Sequence, residues 1–408
     1  MNSFSKSLLI GLLPCAAVSA QGLYSIAPND DEADSSLPLT YIVGGGVGYD
    51  SNPTPLFGGG GNSGSVTLNA FAQANVTNVT PQTTWDFYTR IGLRFFLTDL
   101  DGDNADQVNY EARVGVNFTH RFSERLRFSS RNFVAYEIEP DFENSFANDR
   151  RAGQFFRYSS ENSVGYRWTE RLGTQTGVNF NGIIFEDLDN SNFNSITFRH
   201  QFRYRVSPAT VLTAGYRYRT TFGPNSGLDS GSHFLVGGVE HRINPVSAIV
   251  LRGGAQINDP DNGGTSASPF VEGTLRSQLT PQLSANIFAR WSSEEFNRSL
   301  VSEGNFFEFE ESQTLRIGSR FNYTVSPAVS LFGGINYVFT DYEDQTAPGV
   351  GLGSDSDEGV LNINVGASYR LTDNLYLTGS YNYTESFSDF DDREFERNRF
   401  DLGVQATF

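Results

Sequence analysis

The chain alternates. Its last ten residues, RFDLGVQATF, put Phe400, Leu402, Val404, Ala406 and Phe408 on one parity and Arg399, Asp401, Gly403, Gln405 and Thr407 on the other. That is the period of a strand with one apolar and one polar face. In TTWDFYTRIGLRFF the apolar parity holds Trp85, Phe87, Ile91, Leu93 and Phe95, and in LNINVGASYRL it holds Leu361, Ile363, Val365, Ala367, Tyr369 and Leu371. In SVTLNAFAQANV it holds Val66, Leu68, Ala70, Ala72, Ala74 and Val76. Such segments exceed the five or six residues of an ordinary soluble strand and match the length that a tilted strand needs to cross a bilayer.

Short turn signals punctuate the pattern. Thr80-Pro81-Gln82, Ser123-Glu124-Arg125, Thr169-Glu170-Arg171, Ser207-Pro208-Ala209, Asn244-Pro245-Val246, Thr280-Pro281-Gln282, Ser326-Pro327-Ala328 and Thr372-Asp373-Asn374 recur along the chain. Each has the residue types of a tight connection. Between them run longer Gly- and Asp-rich stretches such as DSNPTPLFGGGGNSGS, TDLDGDNADQ and DYEDQTAPGVGLGSDSDE. Eight short turns alternating with nine long loops predict eighteen strands. A β-propeller shares a period near forty residues, but its blades need four short strands per period and bury both sheet faces. The expectation is therefore an all-β fold, a closed antiparallel transmembrane β-barrel of about 18 strands spanning 39–408. Short turns belong on the periplasmic side and long loops outside, with both termini periplasmic.

The opening residues have another pattern. Lys6, an apolar run from Leu8 to Val18, and Ser19-Ala20 before Gln21 have the layout of a signal peptide over 1–20, with cleavage after Ala20. Cys15 raises a lipid-anchor alternative, which Pro14 disfavours. Residues 21–38, with Asp30, Asp31, Glu32 and Asp34, read as an acidic periplasmic tail. Past the leader no stretch approaches the roughly 20 apolar residues of a membrane helix, and the mean hydropathy of the chain is −0.35. The one lysine lies in the leader, which leaves 28 arginines against 47 acids. So acidic a chain is a poor partner for nucleic acid.

Net charge conceals a segregation. With outside defined by each strand's apolar parity, 21 of the 28 arginines fall on the lumen parity. The candidate pore-lining set is Arg90, Arg94, Arg113, Arg131, Arg157, Arg199, Arg203, Arg217, Arg219, Arg276, Arg290, Arg316, Arg320 and Arg370, with Glu111, Glu161 and Glu272. Asp86, Glu137, Glu240 and Asp401 share that parity, and the remaining acids lie mainly in loops and the N-terminal stretch. A basic water-filled lumen attracts anions, and a guanidinium offers a fixed fork to carboxylate or phosphate. The competing reading is that these arginines pair with inward acids and stiffen the wall. A second constellation, Phe71, Tyr88, Phe133, Phe234, Phe270, Phe288, Phe332 and Tyr376, has lumen parity and could carry oligosaccharides.

Other chemistry is weaker. His120, His200, His233 and His241 fall on the outward parity, without a G-x-S-x-G or H-E-x-x-H element, so no enzyme is expected. His200 would face lipid in mid-strand unless the register slips there. Asp99, Asp101, Asp103 and Asp106 fail the EF-hand pattern, because Gly102 comes too early and Tyr110 stands at position twelve. No metal or cofactor is called for.

GVGYDSNP, from Gly46 to Pro53, ends the first predicted strand in a Tyr-Asp-x-Asn element. With the Asp- and Gly-rich loops, it resembles the beta-barrel porin-2 family of Gram-negative outer membranes, although an Asx turn would explain the same residues. The terminal Phe408 also resembles the C-terminal signal read by the outer-membrane barrel assembly machinery. The resemblance implies a porin-like channel for passive diffusion of small hydrophilic solutes, here anions or sugars, surrounded by outer-membrane lipids, with a homo-oligomer left open. The alternatives are a structural or surface-recognition barrel with acidic ligand-binding loops, or an oligosaccharide-selective porin using the inward aromatics.

Overall fold

The computed structural model describes residues 39–53, 64–98, 107–137, 154–186, 192–223, 229–261, 264–294, 299–302, 305–345, 356–389 and 393–408. The leader, the acidic tail and the Asp99–Asp106 cluster lie outside the described residues. The first strands are β1 (Leu39–Asp50), β2 (Ser65–Val79), β3 (Thr83–Phe96), β4 (Val108–Arg121), β5 (Leu126–Glu137) and β6 (Phe155–Arg167). Next come β7 (Leu172–Phe185), β8 (Phe193–Ser207), β9 (Thr210–Phe222), β10 (Ser230–Asn244), β11 (Ser247–Pro260), β12 (Ser266–Thr280) and β13 (Leu283–Ser293). The short β14 (Ser299–Ser302) is followed by β15 (Asn305–Ser326), β16 (Val329–Gln345), β17 (Ser356–Arg370), β18 (Leu375–Ser388) and β19 (Phe395–Thr407). No helix is long and apolar enough to cross a membrane among these residues.

Eighteen of these strands form one closed antiparallel barrel, each paired with its neighbour in sequence and β1 pairing with β19. β14 is additional: it pairs only with the outer extension of β15, while β13 pairs with β15 in the wall. Closure satisfies every ladder without leaving an edge, which a bilayer demands.

All eight predicted turns are present at one end, together with both ends of the barrel chain. The first residue of each turn explains why it forms there. The side-chain oxygens of Thr80, Ser123, Thr169, Ser207, Asn244, Thr280, Ser326 and Thr372 accept from backbone N–H groups two or three residues on, at 2.9–3.4 Å. A turn closed by its own side chain needs little else.

Following the register once around the barrel returns to β1 about 22 residues along. For eighteen strands that offset sets a tilt of about 40° and a backbone diameter of roughly 35 Å. Wall side chains reaching inward 5 or 6 Å from each side, roughly, cannot meet across that width.

On the lipid side, the apolar parity forms an exposed belt that includes Val43, Val47, Ile91, Leu251, Val365 and Leu402. Two aromatic levels border it. Trp85, Phe118, Phe128, Tyr166, Tyr204 and Tyr369 lie toward the turns, and Tyr49, Tyr110, Phe156, Tyr218, Tyr337 and Phe400 lie about 21 Å above them along the axis.

Phe408 sits at the seam, 63% exposed. Its N–H donates to the Tyr41 carbonyl at 2.8 Å, and the Tyr41 N–H donates back to its carbonyl at 3.0 Å. The terminal residue thus completes the ladder that closes the barrel.

Candidate functional site

The strand registers put all seventeen residues of the predicted lumen set on the face turned away from the apolar belt. Arg252, not named in that set, shares the face. Allowing for strand tilt, Arg90, Arg113, Arg131, Arg199, Arg217, Arg252, Arg290 and Arg320 fall in a band about 10 Å tall, midway between the aromatic levels. Arg94, Arg157, Arg219 and Arg316 lie just above it, and Arg203, Arg276 and Arg370 just below.

The band has two characters. From β8 to β15 it is a ribbon of alternating charge. Arg203 reaches across β9 to grip Glu240 with both Nη atoms, at 2.8 and 2.6 Å. Glu240 also lies 3.7 Å from Arg252, which in turn donates to Glu272. Further on, Glu294 accepts a fork from Arg316, at 2.9 and 2.6 Å, and a third bond from Arg290 at 2.8 Å. Side chains of Arg316 and Glu294 are only 1% and 2% exposed, so the pair is desolvated and each charge depends on the other.

From β3 to β9 the arginines outnumber their carboxylates. Arg113 binds Glu137. Glu111 stands opposite Gly92, which is flanked on β3 by Arg90 and Arg94. Glu161 is in register with Arg131 on one side and Asn179 on the other. Among the described residues, Arg131, Arg199 and Arg217 make no ion pair within 4 Å, whereas Arg203, four residues along β8 from Arg199, does.

Glycine and aromatic rings hold these guanidinium groups in place. A Cβ at Gly177 would come within 2.8 Å of Arg199 Nε, so only glycine lets the arginine lie flat on β7. Phe71 lies over Gly44 in the same way, and the Arg90 guanidinium stacks 4.2 Å above its ring. Arg217 stands 5.1 Å from the Phe234 ring centre and 5.4 Å from that of Phe270. Cation–π contact holds a charge without neutralising it. Of the predicted aromatic constellation, Phe234, Phe270 and Tyr376 are buried.

The Tyr-Asp-x-Asn element forms the Asx turn, with Asn52 N–H donating to Asp50 Oδ1 at 3.1 Å. Its larger role is at the barrel seam. Arg397 on β19 binds Asp50 through Nε at 3.0 Å and Nη2 at 2.5 Å, and Asn52 Nδ2 donates to the Glu396 carbonyl at 3.1 Å. Sequence reasoning also missed Glu294 and Glu358 as wall acids; Glu358 binds Arg393 at 2.6 Å and accepts from Tyr342 at 3.0 Å.

Acidity gathers outside. At the outer ends of β16 to β18, Asp357 meets Asp341 across the ladder, its N–H donates to Asp389 Oδ2 at 2.9 Å, and its carbonyl accepts from the Asp389 N–H at 3.1 Å. Loss of hydration, then the two neighbouring aspartates, raise the Asp357 carboxyl above the ordinary carboxylate range. The described residues contain no cluster suited to a metal ion.

Comparison with known proteins agrees with this architecture. Residues 247–408 match the family model described as outer membrane protein beta-barrel domain. The chain is an outer-membrane β-barrel. That description agrees with the outer-membrane β-barrel expected from the strand pattern. No curated protein sequence matches it.

Among solved structures, OccAB4 of Acinetobacter baumannii is similar at 10% identity and a TM-score of 0.47, covering 91% of this chain and 99% of that one. A BenF-like porin from Pseudomonas fluorescens Pf-5 has 11% identity and a TM-score of 0.46, covering 90% and 98%. OccK2 (OpdF) of Pseudomonas aeruginosa, solved with glucuronate, has 10% identity and a TM-score of 0.45, covering 90% and 98%.

Proposed function

We propose that this outer-membrane barrel is a passive channel for small hydrophilic solutes and prefers anions. The observation that carries the reading is the mid-height arginine band, in which Arg131, Arg199 and Arg217 have no ion-pair partner among the described residues. Field lines in a water-filled tube with a low-dielectric wall converge on such a band, so a carboxylate or phosphate is drawn in and a cation is repelled. The solute gradient drives the flux. Barrels of sixteen to eighteen strands have room for an aqueous channel, which supports the same reading.

A second reading draws on the ribbon from Arg203 to Arg316. There the charges are spent on one another, as in a barrel whose interior is braced and whose outer surface does the work. Swelling of liposomes loaded with the refolded protein separates the two. A channel of the proposed kind admits a monosaccharide acid faster than the neutral sugar of equal size, and the neutral sugar faster than an amino sugar. No swelling with any of the three would remove the channel reading and favour the braced barrel.

A further inference from the structure

One patch of the lipid-facing surface breaks the apolar rule. On β5 and β6 the outward positions at mid-height hold Ser130, Asn132, Ser160 and Asn162, with Ser130 in register with Asn162 and Asn132 with Ser160. All four lie within about 6 Å of the level midway between the two aromatic girdles, the depth at which other strands present Val43, Leu251 and Val404. The next pair of strands continues the patch. Thr176 and His200 face outward in register and share a hydrogen bond of 2.8 Å. The β8 register therefore holds, and His200 faces lipid.

The four side chains bond in a ring. Ser130 donates to Asn162 at 2.7 Å, Asn162 to Ser160 at 2.9 Å, Ser160 to Asn132 at 2.6 Å, and Asn132 to Ser130 at 2.8 Å. Each asparagine spends one of its two N–H donors and one acceptor site on the ring, which leaves one donor and further acceptor capacity pointing into the bilayer. Acyl chains can satisfy neither, and polar groups at that depth act as glue between membrane segments.

We propose that the outward face of β5 to β8 is the contact through which two copies of this chain associate in the membrane. A second copy is the occupant that fits best. It carries the same face at the same depth by construction, and the unspent asparagine donors of each copy can reach unspent acceptors of the other about a two-fold axis. The extent is sufficient. Four tilted strands between the girdles cover about 500 Å², or about 1,000 Å² counted on both copies, the lower bound for a specific interface.

The test uses the full chain in its membrane. Ser160→Cys treated with a short bismaleimide is expected to give at least tenfold more covalent dimer than Val365→Cys, which lies on the lipid face of β17. Comparable yields at the two sites, or a Ser160→Cys adduct with a different polypeptide, would overturn the assignment. In a second measurement, the particle mass in mild detergent is expected to fall from two chains to one in Asn132→Leu/Asn162→Leu, with heat-shifted gel migration unchanged. A wild-type particle of one chain, or a double variant still of two chains, would refute it; if that variant does not fold, the cysteine yields decide.

Discussion

At the level of single residues, buried charge pairs set the strongest constraints. Glu294 neutralises Arg316 in a desolvated site and also accepts from Arg290. Glu294→Gln is expected to lower unfolding stability by about 3 kcal/mol, because it leaves a buried guanidinium unpaired. Glu294→Leu combined with Arg316→Met should cost less than the single change, and denaturant titration of the refolded barrel checks both. Asp50 behaves differently. Its pairing with Arg397 joins the first strand to the last, so Asp50→Ala should slow barrel closure, read as a longer half-time to the heat-resistant form on gels.

At the level of strands and turns, the apolar parity and the Ser, Thr or Asn that opens each turn made eighteen strands and eight connections legible. They failed at the outer ends. Beyond the bilayer the outward face no longer has to be apolar, so parity stops reporting which side a residue takes. Asp50, Glu294, Glu358 and Arg393 are all in that zone, and so is the hairpin strand β14. Parity nevertheless carried most of the arginine band, including Arg199 and Arg217 on neighbouring strands. Replacing both with Ala is expected to reduce the anion-to-cation permeability ratio several-fold while leaving the barrel folded, since neither has an ion pair to break among the described residues. Turn chemistry allows a separate check: Ser326→Ala removes two acceptor contacts at 3.3 and 3.1 Å and should cost about 1 kcal/mol in denaturant titration.

For the molecule as a whole, the face on which the arginines fall could be read from the chain, whereas the size of the tube could not. Diameter depends on the stagger between strands, and stagger is set by register at every ladder rather than by the pattern within any one strand. With the register known, the tube is too wide for its wall side chains alone to fill, and its basic band sits midway between the aromatic levels. On the proposed function, the arginine band, and not the acidic balance of the whole sequence, sets the field that a solute meets.

The most direct test is the single-channel current of refolded protein in a planar bilayer under a salt gradient. The arginine-walled channel predicts steady openings with a reversal potential of the sign set by anion flux, moving toward zero in Arg199→Ala/Arg217→Ala. Stable insertion without conductance, or a reversal potential set by cations, would contradict it.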